Sequence, residues 1–294
     1  MAVGRVIAVA NQKGGVAKTT TVANLAAALS QMGARVLMVD MDPQGSLTLW
    51  SGRNPDTVEK SLYDSLVKGL DSRQIRLSTP LGADLLPASV DLSLAEMELV
   101  GMVARERRLG AVLAPVRDEY DFVLVDCQPS LGLLTINALA AADELLIPVA
   151  CEFLSTRAIQ VLLRMVRKVQ LRLNSKLAVT GILPTLYDRR VRHARDELDA
   201  LVEQFGAETQ VLADCAVPRS IRFAEAAAAG KSILAFAPLH PGAEAYRRLA
   251  RFVAGDALVD KAPAAAANEF SLLDIEEPRI DVLVRKDAPV RSRR

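Results

Sequence analysis

Aromatic residues are scarce in this chain, and long hydrophobic runs are absent. Phe, Trp and Tyr make up 4% of the 294 residues, whereas hydrophobic residues of all kinds make up 51%. An aliphatic core of this kind favours parallel strands buried on both faces beneath helices. No window approaches the roughly 18 apolar residues of a membrane span. A strand-like run begins within a few residues of the first Met, so we also expect no signal peptide.

Cysteine and net charge are equally sparse. The three cysteines, Cys127, Cys151 and Cys215, are far apart, odd in number and without zinc-type spacing. Such usage predicts free thiols in a reducing compartment, so we expect a cytoplasmic protein. The formal net charge is +1, and binding to nucleic acid would therefore need a local basic patch.

Short apolar runs alternate with helical patterns along most of the chain. Strand patterns occupy 5–10, 35–40, 83–86, 122–126, 144–149 and 177–183, and helical patterns occupy 19–32, 61–68, 92–114, 132–142, 155–173, 191–205, 220–229 and 242–254. This alternation predicts an α/β fold with a doubly wound, mostly parallel sheet and helices on both faces.

The composition changes near Gly255. Residues 261–267 are low in complexity, and the chain ends on a basic run at 291–294. We predict one domain over 1–255 and a mobile low-complexity tail over 256–294. The run at 280–285 alternates like a strand, and Pro289 interrupts the segment after it, which argues against a membrane-binding helix.

A glycine-containing loop separates the first strand from the first helix. Such a loop can turn its backbone N–H groups and the helix N-terminus toward a polyphosphate. Lys18 would contact the β and γ phosphates, and Thr19 would offer its hydroxyl to Mg²⁺. The ordinary pattern G-x-x-x-x-G-K-[ST] is not met, because Gln12 and Ala17 occupy its glycine positions. The predicted nucleotide-binding residues are Lys13, Gly14, Gly15, Val16, Ala17, Lys18, Thr19 and Thr20. The alternative is a turn with a solvated lysine.

Three aspartates follow or end the predicted strands. Asp40 and Asp42 alternate on an extended chain, so both can face the carboxyl end of their strand, where doubly wound sheets bind ligands. Asp126 ends another apolar run and would hold Mg²⁺, through water. The alternative for Asp42 is that it is present because Asp-Pro and Gly build a turn. The turn and a role at the ligand site can hold at once.

These motifs resemble one known family. Lys13-Gly-Gly-x-x-Lys18-Thr is similar to the deviant Walker A loop of the ParA/MinD ATPases, Asp40-Met-Asp-Pro-Gln-Gly45 to their D-x-D-P-Q-G segment, and 217–226 to their I-P-R-x-V-R-L-x-E-A stretch. The resemblance covers about 5–255 and is strongest to the ParA (Soj-like) partition ATPases.

The resemblance implies an ATP- and Mg²⁺-dependent P-loop NTPase that forms a sandwich dimer. Lys13 would reach the partner subunit's nucleotide, Lys18 would act in its own subunit, and Asp42 would orient the attacking water. Thr19, Asp40 and Asp126 would surround the Mg²⁺ ion. Pro218, in a late loop, would contact the adenine ring.

The resemblance also implies non-specific DNA binding by the ATP-bound dimer, which depends on phosphate charge and needs a basic patch. The candidate residues are Arg189, Arg190, Arg192, Arg195, Arg219, Arg222, Arg247 and Arg248. A ParB-like or adaptor protein would stimulate hydrolysis. The cargo would be a chromosome, a plasmid or a protein assembly, and the ATP-bound protein would be nucleoid-associated.

The chain departs from the family at several positions. Ala17 replaces a glycine, Gln128 replaces a proline, and Leu239-His-Pro241 stands where many relatives carry arginine. Other functions remain open. An amidoligase would need an acceptor-substrate pocket, and an iron–sulfur ATPase would need cysteines that bridge a dimer. An ATP-bound scaffold or organelle-positioning switch would show little hydrolysis and no role on DNA.

Overall fold

A seven-stranded sheet forms the centre of the computed structural model, which describes residues 4–152, 155–207 and 209–255. The strands are β1 (Arg5–Val9), β2 (Val36–Met41), β3 (Leu77–Ser78), β4 (Asp84–Leu86), β5 (Phe122–Cys127), β6 (Glu144–Ala150) and β7 (Ala178–Thr185). Their spatial order is β3-β4-β2-β5-β1-β6-β7, and every pair is parallel except β3 with β4.

The chain moves from β1 toward one edge of this sheet and later, through β6 and β7, toward the other. The reversal places the carboxyl ends of β1, β2 and β5 side by side, which is where open α/β sheets bind their ligands. In register, Val9 of β1 lies beside Asp126 of β5, which in turn lies beside Asp40 of β2.

Eleven described helices cover the sheet. They are α1 (Lys18–Gln31), α2 (Ser46–Trp50), α3 (Leu62–Lys68), α4 (Leu92–Val100), α5 (Arg108–Leu113), α6 (Leu133–Ala141), α7 (Ser155–Arg172), α8 (Arg192–Phe205), α9 (Arg222–Ala228), α10 (Ile233–Phe236) and α11 (Pro241–Ala254). Among them, none has the length and apolar character that a membrane span requires.

The helices form a layer on each face because the strands alternate their apolar side chains. Val6 and Ala8 of β1 belong to the core shared with α3 to α7, whereas Ile7 and Val9 belong to the core shared with α1, α10 and α11. Burying each such aliphatic side chain contributes about 1.5–3 kcal/mol. Tyr246 of α11 is fully buried against α1.

The predicted fold class is confirmed, and the differences are local. The pattern at 92–114 predicts one helix, but α4 ends at Val100, and Ala104 takes a left-handed φ of 53° before α5. The short elements α2, β3 and α10 were not predicted, since helices of four or five residues carry no periodicity. The predicted tail at 256–294 lies outside the described residues.

Candidate nucleotide site

The loop between β1 and α1 has the backbone of a phosphate-binding turn. Gly15 has φ 72° and Ala17 has φ 65° and ψ 34°, both in the left-handed region. No side chain caps the N-terminus of α1. The N–H groups of its first turn therefore remain available to an anion, which the helix dipole also favours.

Tertiary hydrogen bonds hold this loop in place. The Asn11 side chain accepts from the Lys13 N–H at 3.0 Å and donates to the Pro148 carbonyl at 2.7 Å. The Thr185 hydroxyl, at the end of β7, donates to the Val16 carbonyl at 3.1 Å. The sequence did not predict that Asn11 and Thr185 support the loop, because neither side chain belongs to a recognisable motif and Thr185 is distant in sequence.

Ala17 occupies the left-handed region although it has a Cβ atom. That conformation costs an alanine on the order of 1–2 kcal/mol relative to its usual backbone. The Thr21 hydroxyl and N–H both bond the Ala17 carbonyl, at 2.7 and 2.9 Å. The position therefore needs positive φ, and surrounding contacts impose it on a residue that disfavours it.

A cavity of about 1010 Å³ opens above the loop. The predicted residues that line it are Gly14, Gly15, Ala17, Lys18, Thr19, Thr20 and Asp42. Val16 is buried beneath it with 1% of its surface exposed. Trp50 of α2 and Gly230 line the opposite side. The structure thus brings together the phosphate loop and one of the three predicted aspartates in a single cavity.

Lys18 is 7% exposed, and its amine donates to the Lys13 carbonyl at 3.2 Å. Burial lowers the pKa of Lys18, while the nearby Asp126 carboxylate opposes that shift. A buried amine with this single weak partner gains strongly from a phosphate oxygen.

Asp126 is fully buried, and within the described residues neither of its carboxylate oxygens has a hydrogen-bond partner. Burial and then the neighbouring Asp40 carboxylate raise its pKa well above the ordinary value. The nearby Thr19 hydroxyl favours the charged form without reaching hydrogen-bonding geometry. An unpartnered buried carboxylate beside a threonine hydroxyl fits Mg²⁺, a hard cation that prefers oxygen ligands.

Asp40 is also fully buried, but its carboxylate is satisfied. It accepts from the Thr48 N–H and hydroxyl at 2.8 and 2.7 Å, and from the Asp42 N–H at 3.2 Å. Burial raises the pKa of Asp40 to about 6, against these hydrogen bonds. In this structure Asp40 anchors α2 to the end of β2, and its place in the Mg²⁺ shell stays a prediction.

Asp42 faces the cavity and also builds a turn. One of its carboxylate oxygens accepts from the Gln44 N–H at 3.0 Å, and its carbonyl accepts from Gly45. The turn and a role beside the phosphates therefore coexist, as the sequence allowed.

Lys13 lies at the rim, outside the residues that line the cavity. Its amine pairs with Glu152 at 3.2 Å, and Arg219 pairs with the other oxygen of the same carboxylate at 2.5 Å. The Lys13 side chain is 37% exposed. Glu152, which follows β6, was not singled out from sequence.

The segment after Asp126 is tied to α4. Gln128 donates to the Glu96 carboxylate at 3.0 Å, and the Leu134 N–H donates to the same oxygen at 3.1 Å. Gln128, which replaces the family's proline, is therefore one half of a tertiary contact. The three cysteines are free and buried, a placement that disfavours the bridging role an iron–sulfur ATPase requires.

The predicted DNA-contact residues divide between a groove and the adjacent helices. A groove of about 760 Å³ is lined by Arg189, Arg190, Arg219 and Arg248. Pro218 also lines this groove and not the phosphate cavity, although the two meet at Leu186 and Tyr187. The predicted residues outside its lining are Arg192, Arg195, Arg222 and Arg247. Adenine contact by Pro218 stays a prediction.

Acidic partners neutralise part of the positive charge in this groove and on the adjacent helices. Arg190 pairs with Asp188 at 2.8 Å, and Arg222 pairs with Glu225 at 2.7 Å. Three arginines share Glu244: Arg247, Arg248 and Arg251. Among the described residues no acidic group pairs with Arg189 or Arg195. The patch remains basic, because its arginines outnumber the carboxylates.

A parallel sheet, a phosphate loop that opens α1, and a buried acid at the end of β5 define the class of P-loop nucleotide hydrolases. The family model described as "AAA domain" matches residues 4–179, more than half of the chain. The Soj protein of Bacillus subtilis, a sporulation initiation inhibitor, is 42% identical over 254 residues, covering 86% of this chain and 99% of that protein. The chain belongs to this family of ParA/Soj partition ATPases and is an ATP hydrolase.

Further similarity comes from an uncharacterized protein and from a solved structure. The protein, of Mycobacterium tuberculosis, is 47% identical over 84% of this chain and 77% of that protein. The structure is cobyrinic acid a,c-diamide synthase from Mycobacterium smegmatis with bound ADP and magnesium. Its identity is 42%, its TM-score is 0.75, and the match covers 84% of this chain and 92% of that one.

Glycine at position 17 tests the backbone strain. We expect Ala17→Gly to raise the free energy of unfolding by about 1 kcal/mol, because glycine accepts positive φ at no steric cost. Gly15→Ala should lower it by a similar amount, since nothing lies within 4 Å of the added Cβ and only φ is at issue. Urea unfolding without nucleotide measures both.

Gly14→Ala is the matched control, because Gly14 has no positive φ and its new Cβ would meet only Pro129 at 3.9 Å. Its stability should stay within about 0.5 kcal/mol of wild type. A loss of stability in Ala17→Gly would contradict the assignment of strain to position 17.

Asp126→Asn tests the unpartnered charge. The folded-state pKa of Asp126 lies above its unfolded value, so its ionisation destabilises the fold at high pH and has no effect in acid. We expect the variant to be more stable than wild type at pH 8 in EDTA, with the difference shrinking toward pH 4. Its affinity for Mg²⁺ with ADP should fall on the order of 10–100-fold. Equal stability of the two proteins at pH 8 would show that the buried charge of Asp126 does not destabilise the fold.

Proposed function

We propose that this chain is a slow ATPase that dimerises with ATP, binds DNA non-specifically, and positions or segregates a cargo in the cytoplasm. A ParB-like or adaptor protein stimulates its hydrolysis. The observation that carries the proposal is the different location of two lysines in the phosphate loop. Lys18 lines its own chain's cavity, whereas Lys13 stands outside it at an exposed rim. This separation supports the proposal that Lys13 serves a second chain's nucleotide.

Within one chain, the loop N–H groups and the start of α1 bind the phosphates, and Lys18 adds a positive charge. Thr19 and Asp126 would hold the Mg²⁺ ion, which would supply positive charge beside the phosphates. Asp42, at the cavity wall, orients the attacking water. The strained Ala17 lies between Gly15 and Lys18, which favours a slow basal turnover.

The arginine groove supports the DNA-binding part of the proposal. Four of the eight candidate arginines line one groove, and contact with phosphates needs positive charge without base recognition. Salt bridges to Asp188 and Glu244 weaken the patch in one chain. Joining two chains in a dimer would double the patch, which accounts for DNA binding that depends on ATP.

A synthase is the second candidate, because the solved structure that is 42% identical bears the name of a cobyrinic acid diamide synthase. The match covers 92% of that chain, so overall architecture does not separate the two. Turnover of ATP that depends on a carboxylate acceptor, with no effect of DNA, would favour the synthase. An ATP-bound scaffold would instead dimerise without measurable turnover.

Lys13→Ala tests the lysine that lies at the rim. We expect a loss of ATP-dependent dimerisation, measured by sedimentation, with ATP binding by the monomer weakened less than about threefold, since Lys13 lies outside the cavity. Lys60→Ala, which removes another exposed loop lysine, is the control. Unchanged dimer formation and turnover would show that Lys13 does not act across an interface.

Binding to non-specific DNA should appear with ATP or a slowly hydrolysed analogue and be absent with ADP or no nucleotide. Its affinity should fall steeply over a salt series, as phosphate contacts require. We expect Arg189→Ala with Arg195→Ala to weaken binding about tenfold or more. Since the proposed dimer loses two arginines from each chain, the salt dependence should flatten by roughly four units of slope.

Arg73→Ala is the control for these arginines, because Arg73 is exposed and precedes β3 at the far edge of the sheet. It should bind DNA like wild type. Dimerisation with ATP but no DNA binding would move the function to a switch that acts on a protein or an organelle.

A further inference from the structure

Helix α4 presents an unusual outer face. Leu92, Ala95 and Leu99 are buried against the core, yet large apolar side chains on and beside the helix are exposed. These residues, which we call the α4 stripe, are Val90 (49% exposed), Leu94 (42%), Met97 (69%), Val100 (59%) and Val103 (93%). Spacings of three residues place Leu94, Met97 and Val100 along one side of the helix, whereas Val90 precedes the helix and Val103 follows it. Exposed apolar residues grouped in this way mark an interaction site.

Acidic residues flank the α4 stripe. Asp91 and Glu98 are exposed in the same segment, and the sequence contains no lysine or arginine between Arg76 and Arg105. The stripe therefore combines an apolar surface with charge of a single sign.

Lys68 and Arg105, which lie on elements next to α4, already have acidic partners. The Lys68 amine, which lies 5.0 Å from the Tyr63 ring centre, pairs with Asp64 at 2.8 Å. Arg105 pairs with Glu106 at 2.9 Å. The carboxylates beside the stripe can therefore pair with basic groups of a partner. A second copy of this face, or an anionic membrane, would be repelled by the same charges.

The inner side of α4 contacts the segment after Asp126 through Glu96. One Glu96 carboxylate oxygen accepts hydrogen bonds from Gln128 and from the Leu134 N–H, at 3.0 and 3.1 Å. A Cβ on Gly132 would lie 2.3 Å from that oxygen, so the carboxylate fits closely against the chain there. Gln128 is two residues from Asp126. The same helix therefore carries the exposed stripe and holds the segment that follows the Mg²⁺ ligand.

We propose that the α4 stripe is the docking surface for an amphipathic helix with basic flanks, presented by a partner protein, and that Glu96 transmits docking to the nucleotide site. Docking at the α4 stripe does not depend on the proposed function. Only the effect of docking on ATP turnover rests on the proposed function. Glu96 is a positioning residue, since it acts through Gln128 and Leu134.

The docking test uses a fluorescent model peptide of about 18 residues, long enough to form a helix on binding, with leucine and lysine at helical spacing. Its anisotropy is measured with the full chain, without nucleotide or DNA. We expect binding that weakens about tenfold or more in Met97→Ser with Val100→Ser, because truncating central apolar contacts removes most of the binding energy.

Two controls make this test specific. Leu171→Ser removes an equally exposed apolar side chain from α7, where Leu171 is 86% exposed, and should leave binding unchanged. A peptide of leucine and glutamate should bind far more weakly than the lysine peptide. The proposal is overturned if the Met97 and Val100 variant binds like wild type or if both peptides bind alike. It is also overturned if these substitutions dissociate a dimer of the chain, which would identify a second copy as the occupant.

Transmission through Glu96 has its own readout. Trp50 is the single tryptophan and lines the nucleotide cavity, so its fluorescence reports on the site without requiring turnover. The peptide should change this emission in wild type and in Glu96→Gln, which keeps an acceptor oxygen. Glu96→Ala should bind the peptide and show no change. An identical response in Glu96→Ala, or no response in wild type, would refute the coupling and leave the ATPase assignment untouched.

Discussion

Two buried carboxylates at the ends of adjacent strands constrain the whole site. Asp40 and Asp126 are register partners on β2 and β5, and both are fully buried. Like charges in a dry interior repel, so each must be neutralised, hydrogen-bonded or paired with a cation. Thr48 and the Asp42 N–H satisfy Asp40. Among the described residues Asp126 has no hydrogen-bond partner, so the nearby Lys18 amine and a metal ion would be the cations that compensate its charge.

In the phosphate loop, tertiary contacts override the local backbone preference of a residue. Two side-chain hydrogen bonds hold the conformation of the loop, one within the loop at Asn11 and one from Thr185 of β7, and Ala17 stays in a region that alanine disfavours. Local sequence preference and tertiary structure therefore disagree at one residue. Such disagreements are expected where chemistry rather than stability sets the backbone.

Periodicity and motif were enough to predict the fold class, most strands and the phosphate loop, because these depend on local patterns. Asp42, Lys18 and Thr19, which the sequence singled out, line one cavity in the structure, and their roles there stay predictions. It could not show that Glu96 would bond Gln128, or that Glu152 would pair with Lys13, since these partners are 32 and 139 residues apart. Pro218 lines the neighbouring groove, a placement that depends on how two late loops meet, and its contact with adenine stays a prediction.

The carboxylate shared by Lys13 and Arg219 has a thermodynamic consequence. When Lys13 leaves Glu152 for a phosphate oxygen, it exchanges one anion for another, and Arg219 keeps the abandoned carboxylate paired. The number of ion pairs is conserved, so few counterions are taken up or released. Assembly of the proposed dimer would then respond weakly to ionic strength, whereas its hold on DNA would respond strongly. Salt would therefore separate dimer assembly from DNA binding. Over a range of salt concentrations the dimer would persist without bound DNA.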